Sequence, residues 1–265
     1  MAVALGEFLD RLCIVGGIVP VLLIDRHGEG DEAGTHPGTN DLDVALAIAL
    51  VRDGDYTEIT RRLAQEGFEP DTNDAGNPTP QRWTLPGLDV TVDFLLPQLP
   101  DHPPERRIQP LDGDFAAFIM PGLDVVFDER VEVALRGTTL RGEKVERTVP
   151  VCGPGAFTIL KALAFDGRGA PKDAYDLVYV LRGWSRGVAE VADRLAAHAE
   201  RRPKLVAKAL RILARDFADP GMIGPRRVVE FDGALVEDAD AAAADAHGYV
   251  DDLLRAGRKR RLPAA

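Results

Sequence analysis

Cysteine, aromatic residues and positive charge are all scarce in this chain. Its 265 residues include two cysteines, Cys13 and Cys152, far apart and without CxxC spacing. That pattern argues against both a disulfide framework and a cysteine-ligated zinc site. Only 6% of residues are aromatic, which gives little support to a stacking platform for single-stranded nucleic acid. Acids outnumber Lys and Arg by 43 to 32, for a formal net charge of -11. A general nucleic-acid coat is therefore not expected, because non-specific affinity for phosphate backbones is built from cations. Long hydrophobic runs are lacking too. The longest, "CIVGGIVPVLLI", is broken by two glycines and a proline and falls well short of the ~20 residues that cross a bilayer. The opening "MAVALGEFLDRL" has no basic stretch ahead of its apolar residues. The chain is accordingly read as cytoplasmic, with no targeting segment and no membrane partner.

What is present is an ordinary globular composition, 45% apolar and 28% charged, in a length that allows two modest domains. The first half alternates helical and strand patterns. A helix is expected over about residues 4 to 13, then the apolar "IVGGIVPVLLI", a polar Gly-rich loop from Asp25 to Gly38, and the strand "DLDVALAIAL". "DYTEITRRLAQEGF" has helical spacing, with Ile59, Leu63 and Ala64 on one face and Gly67 as a stop. "QRWTL" and "LDVTVDFLL" read as a hairpin, and "DVVFDERVEVAL" and "EKVERTVPV" supply further strands. After Cys152 the pattern becomes helical through "GPGAFTILKALAF", "PKDAYDLVYVLRGW", "SRGVAEVADRLAAHAERR", "PKLVAKALRILARDF" and "DADAAAADAHGYVDDLLRAG". The predicted class is α+β, a mixed sheet with helices over 1–151 followed by a helical bundle over 152–265.

Strand side chains alternate faces, so Asp41 and Asp43 point to one side and Leu42 and Val44 to the other. In "LDVTVDFL", Asp93 shares its face with Asp89 and Thr91, opposite Val90 and Val92. If the two strands are neighbours, Asp41, Asp43 and Asp93 converge. Unneutralised, they repel one another and their pKa values rise. Divalent cations remove that penalty, hard oxygen ligands suit Mg²⁺, and a pair of Mg²⁺ ions can clamp a triphosphate and polarise an attacking hydroxyl. A DxD pattern alone is weak, because it recurs as Asp53/Asp55, Asp112/Asp114 and Asp238/Asp240. Those copies have Gly or Ala between the acids and read as loop or solvated helix. Upstream, Gly16-Gly17 lets backbone N–H groups approach phosphate oxygens, although a tight structural turn looks identical.

Downstream lie the cations. Lys161 interrupts a helix otherwise built from Phe157, Ile159, Leu160, Leu163 and Phe165, so it either snorkels to the surface or meets an anion. Arg168, Lys172, Asp173 and Asp176 follow, with Lys172 and Asp176 four apart on one helical face. The bland alternative for this group is a surface ion-pair cluster.

Taken in order, "VGG", "GTNDLDV", "VTVDFL" and "KALAFDGRGAPKDAYDL" resemble the motifs of the AbiEii-type nucleotidyltransferases. These are a branch of the DNA polymerase β-like superfamily that includes the MenT toxins. The last segment looks like the family's K-(x)-R-(x)-[KR]-D-x-x-D helix pair, and the pattern spans roughly residues 10 to 182. The resemblance implies a nucleotidyltransferase-like fold that transfers NMP from an NTP to a hydroxyl. It implies that Gly16, Gly17 and Thr39 face the nucleotide phosphates and that Asp41, Asp43 and Asp93 bind two Mg²⁺ ions. Asp93 would also help deprotonate the acceptor. Lys161 would contact the triphosphate with help from Arg168 or Lys172, while Asp173 and Asp176 orient those cations or Asp173 acts more directly. Two departures stand out. Ile18 replaces the family's usual Ser, and Gly17 and Asp41 lie 24 residues apart, so the Asp25–Gly38 loop reads as an insertion, a lid or an acceptor selector. His27 and His36 lie in it and are read as part of a loop rather than as a metal site.

The acceptor is less legible. Lys204, Lys208, Arg211 and Arg215 fall on one helical stripe, and Arg255, Arg258, Lys259, Arg260 and Arg261 cluster near the C-terminus. Both could meet RNA or simply be solvated faces. The leading expectation is a toxin-type enzyme acting on tRNA and controlled by a cognate antitoxin. The alternatives are nucleotidylation of a small molecule such as an antibiotic, and a catalytically silent binding module with the same fold.

Overall fold

A computed structural model of the chain describes residues 2–3, 5–25, 36–47, 56–73, 75–98, 107–112, 115–139, 141–233 and 238–263. His27, most of the expected Asp25–Gly38 insertion, the end of the expected "DLDVALAIAL" strand, and Asp53, Asp55 and Asp114 lie outside the described residues. The fold is α+β, and the chain divides into two units. One comprises Met1–Val19 with Gly38–Cys152, the other Pro20–Pro37 with Gly153–Ala265.

The first unit carries the strands, nine of them in one mixed sheet among the described residues. They are β1 (Leu12–Val15), β2 (Asp41–Leu46), β3 (Glu69–Thr72), β4 (Pro78–Thr84), β5 (Thr91–Pro97), β6 (Ile108–Asp112), β7 (Phe115–Met120), β8 (Arg130–Thr138) and β9 (Lys144–Cys152). The main path runs β3-β4-β5-β2-β1-β9-β8, with β7 parallel to the second half of β5 and β6 antiparallel to β7. The expected hairpin forms, since β4 and β5 pair antiparallel. Alternation along β2 and β5 buries Val44, Leu46, Val92, Phe94 and Leu96 in a core that helix α1 (Tyr56–Gln65) closes with Ile59 and Leu63. Phe115 meets Phe94 edge-on at 4.9 Å and Trp83 at 6.2 Å. Such pairs add about 0.5–1.5 kcal/mol beyond area burial.

Three local expectations need correcting or adding to. The helix expected over residues 4 to 13 is a single 3-10 stretch, Gly6–Arg11, and the chain then becomes β1. Cys13, Ile14 and Val15 are buried between β2 and β9, and long-range pairing of this run, with its β-branched Ile14 and Val15, outweighs weak helical propensity. Strand β3, "EPDT", was not anticipated. It is poor strand sequence placed at the sheet edge, where Pro70 is tolerated. A helix at Ile223–Asp232 was likewise not anticipated.

The second unit is helical: α2 (Pro154–Arg168), α3 (Pro171–Gly183), α4 (Gly187–Arg201), α5 (Pro203–Asp216), α6 (Ile223–Asp232) and α7 (Ala239–Lys259). The turn between α2 and α3 follows from its residues. Gly169 takes the left-handed conformation at φ 61° and closes α2 onto Phe165, and Pro171 opens α3. That turn folds the two helices back on each other, which brings Lys161 of α2 beside the first turns of α3. A short π-helix, Val21–Asp25, packs on the end of α3, where a Cβ at Gly183 would meet Ile24 at 2.5 Å. Asp238, one acid of the recurrent DxD patterns, caps α7 by accepting from the N–H groups of Asp240 and Ala241.

Candidate functional site

The sheet unit brings the three predicted aspartates to neighbouring positions. β2 and β5 are parallel partners, with Asp43 opposite Asp93 and Asp41 opposite Thr91. Residues in register on adjacent strands share a face about 5 Å apart, so all three side chains leave the sheet on one side. Asp41 is exposed, Asp43 half-buried and Asp93 buried. Asp41 accepts a 2.5 Å hydrogen bond from the Thr91 hydroxyl, while its own N–H donates to Thr39 Oγ1 at 3.2 Å. Thr39 thus fixes the entrance to β2.

Asp93 has a partner that the sequence reading did not include. Arg82, opposite it on β4, donates from Nε to Oδ1 at 2.8 Å and from a terminal nitrogen to Oδ2 at 2.6 Å. This bidentate bond, with the charges of Asp41 and Asp71 farther off, holds Arg82 still more firmly in its charged form.

Gly16 stands at the end of β1 with φ 74°, and any Cβ there would collide with the Asp43 carboxylate. The glycine therefore makes room for Asp43 to lie over the short Gly16–Ile18 turn that also holds Gly17. Among the described residues no three Asp, Glu, His or Cys side chains already form a group that could hold a metal ion. The donor set is nevertheless the right kind for Mg²⁺: hard carboxylate oxygens from three residues on one face, with the backbone held clear at Gly16. A cation entering there would share or displace the Arg82 contact.

In the helical unit the predicted residues form one network. Lys161, 6% exposed, does not snorkel. Its Nζ donates to Asp173 Oδ1 at 2.9 Å and to Asp176 Oδ2 at 2.6 Å. Arg168 grips Asp173 in bidentate fashion at 2.6 and 2.7 Å, and Lys172 spans both oxygens of Asp176 at 2.8 and 3.1 Å. Both carboxylates are fully buried, so the surface-cluster alternative does not describe them. Burial opposes their ionisation, but their donors prevail. Arg168 and Lys161 keep the Asp173 carboxyl below the usual range. For Asp176, the hydrogen bond from His36 and the charges of Lys161 and Lys172 hold it at about 2.

His36, expected only as part of a loop, joins this network. Its Nε2 lies 2.9 Å from Asp176 Oδ1, and its ring packs against Tyr175 and Tyr179. Arg82 could have been found by counting pairs across the hairpin. His36 meets Asp176 across 140 positions of sequence, and no local signal points there.

The proposed basic stripe on α5 is exposed but partly spent. Asp166 takes Arg215 at 2.9 Å and stands 3.9 Å from Lys208. In the C-terminal cluster Arg255 pairs with Asp251 and Arg260 with Asp193. Among the described residues, no helix is long and apolar enough to cross a membrane.

No protein-family model matches the chain, and no curated protein matches it. Among solved structures it is similar to JHP933 from Helicobacter pylori, at 14% identity and a TM-score of 0.38, covering 97% of this chain and 90% of that one.

Proposed function

We propose that this protein is an Mg²⁺-dependent nucleotidyltransferase of the AbiEii type, which moves NMP from an NTP onto an acceptor hydroxyl. The observation that carries the reading is the register of β2 and β5, which sets Asp41, Asp43 and Asp93 on one face at the end of the sheet. On this reading the three aspartates hold Mg²⁺, and the ion when bound supplies charge neutralisation for the triphosphate and polarises the acceptor oxygen. Gly16 and Thr39 keep Asp43 and Asp41 in position. The acceptor oxygen forms a new ester bond to the α-phosphorus, the bond from that phosphorus to the bridging oxygen breaks, and pyrophosphate leaves. The hydroxyl proton passes toward Asp93. Lys161, Arg168 and Lys172 supply the cations for the phosphates, with Asp173 and Asp176 orienting them. Catalysis is by positioning and charge, with no covalent intermediate on the protein.

For the acceptor we favour tRNA, on the exposure of Lys204, Arg211, Arg258, Lys259 and Arg261. A cytoplasmic toxin restrained by an antitoxin is the biological role that goes with it. Arg82 favours a second reading, because its hold on both Asp93 oxygens suits a nucleotide-binding module that performs no transfer. Incubation of the protein and Mg²⁺ with each α-³²P NTP and total tRNA separates the two. Label in the RNA that is lost with Asp43→Asn supports the enzyme. NTP binding without label in RNA or in small hydroxyl acceptors supports the silent module.

A further inference from the structure

We infer that His36 is a positioning residue for the phosphate-binding cations: through Asp176 it fixes where Lys161 and Lys172 present their charge. The inference rests on the nucleotidyltransferase reading and goes beyond it, since the K-(x)-R-(x)-[KR]-D-x-x-D pattern contains no histidine.

A carboxylate has a fixed capacity for donors. Two oxygens offer about four acceptor sites, and Asp176 fills them. Oδ1 faces His36 Nε2 at 2.9 Å and Lys172 Nζ at 2.8 Å, and Oδ2 faces Lys161 Nζ at 2.6 Å and Lys172 again at 3.1 Å. The carboxyl is fully buried and ionised. An ionised carboxylate only accepts, so the proton between Oδ1 and the imidazole sits on Nε2.

The three donors differ in what holds them. Lys172 is a surface side chain about a third exposed, and its flexible stem can follow a ligand or solvent. Lys161 is the cation to be positioned, with two of its three N–H groups on Asp173 and Asp176. His36 alone of the three is a rigid ring. It is 4% exposed and packs against Tyr179, edge-on at 4.9 Å, and Tyr175 at 5.5 Å. Its bond therefore fixes the rotation of the Asp176 carboxylate. Without it, Oδ1 is left to Lys172, and the carboxylate can turn with that mobile stem and carry the Lys161 ammonium off its line. Hydrogen bonds to a charged group in a buried network are worth enough for this to register in ligand affinity.

The test compares His36→Gln, whose amide nitrogen reaches the place of Nε2, with His36→Asn, whose amide is too short. His36→Leu serves as a second loss variant should the asparagine chain fail to fold. NTP affinity is measured by calorimetry on the full chain with Mg²⁺, and folding is monitored by thermal melting. Loss of the bond should weaken NTP binding roughly tenfold, the worth of one hydrogen bond to a charged group, and glutamine should restore it to within about threefold of wild type. Equal affinity in all folded variants, or equal weakening by Gln and Asn, overturns the inference. Lys161→Ala is the control that separates the two levels. If wild type binds NTP and Lys161→Ala weakens it while the His36 variants do not, the functional reading stands and the role of His36 falls. If wild type binds no NTP, both fall together.

Discussion

Two sets of carboxylates in this molecule solve the same electrostatic problem in different ways. Asp173 and Asp176 are sealed in the helical unit, where Lys161, Arg168, Lys172 and His36 satisfy them from within. Asp41, Asp43 and Asp93 crowd one face of the sheet, where Asp41 is bonded by a threonine hydroxyl and Asp93 by Arg82. In the first set the partners are part of the fold, so breaking the set should cost stability. In the second, the set lies on a strand face and is the proposed metal site, so breaking it should cost function and leave the fold alone.

The largest effect expected from that contrast is on transfer. Asp43→Asn removes a metal ligand at nearly constant volume and should slow label transfer by on the order of 10³-fold, equivalent to about 4 kcal/mol of lost transition-state stabilisation. Its melting temperature should stay level or rise as like-charge repulsion is relieved; a large fall in melting temperature would erase the contrast. Next comes Lys161→Ala, which leaves two buried carboxylates short of a partner and should cost about 3 kcal/mol in urea unfolding. A loss below about 0.5 kcal/mol would move Lys161 to the class of surface pairs.

Acid should separate the sets more gently. The Asp176 carboxyl titrates at about 2 in the folded chain against an ordinary 3.8. Its stabilisation is therefore fully present above about pH 4 and disappears as pH falls through about 2. The difference amounts to about 2 kcal/mol, and Asp176→Asn should flatten this part of the stability profile. The smallest effect is at Arg82. Arg82→Gln removes the cation that competes for Asp93 and should tighten Mg²⁺ binding by about tenfold in calorimetry, the worth of one charge-assisted contact. Unchanged affinity would mean that Arg82 does not compete with the ion.

What was legible in the sequence was what short-range geometry determines. Alternation placed Asp41 and Asp43 on one face, and the hairpin pattern placed Asp93 on a strand with its apolar neighbours turned away. The close succession of Lys161, Arg168, Lys172, Asp173 and Asp176 over two helical segments let the group be read as one cluster. What was not legible depends on distant pairing. Cys13, Ile14 and Val15 form a strand because β2 and β9 flank them, which no local window reports. His36 reaches Asp176 from the other end of the sequence, and burial of the acids could not be inferred from a segment so rich in charge. Gly16 was read as a phosphate contact, and its geometry adds a different reason for a glycine, room for the Asp43 carboxylate.

The division of labour between the two sets is tested most directly by NTP calorimetry with and without Mg²⁺ on wild type, Asp43→Asn and Lys161→Ala. Mg²⁺ should strengthen binding to wild type, Asp43→Asn should lose this Mg²⁺ dependence but keep metal-free binding, and Lys161→Ala should weaken binding in both conditions. Wild-type affinity that is the same with and without Mg²⁺ would contradict this division of labour.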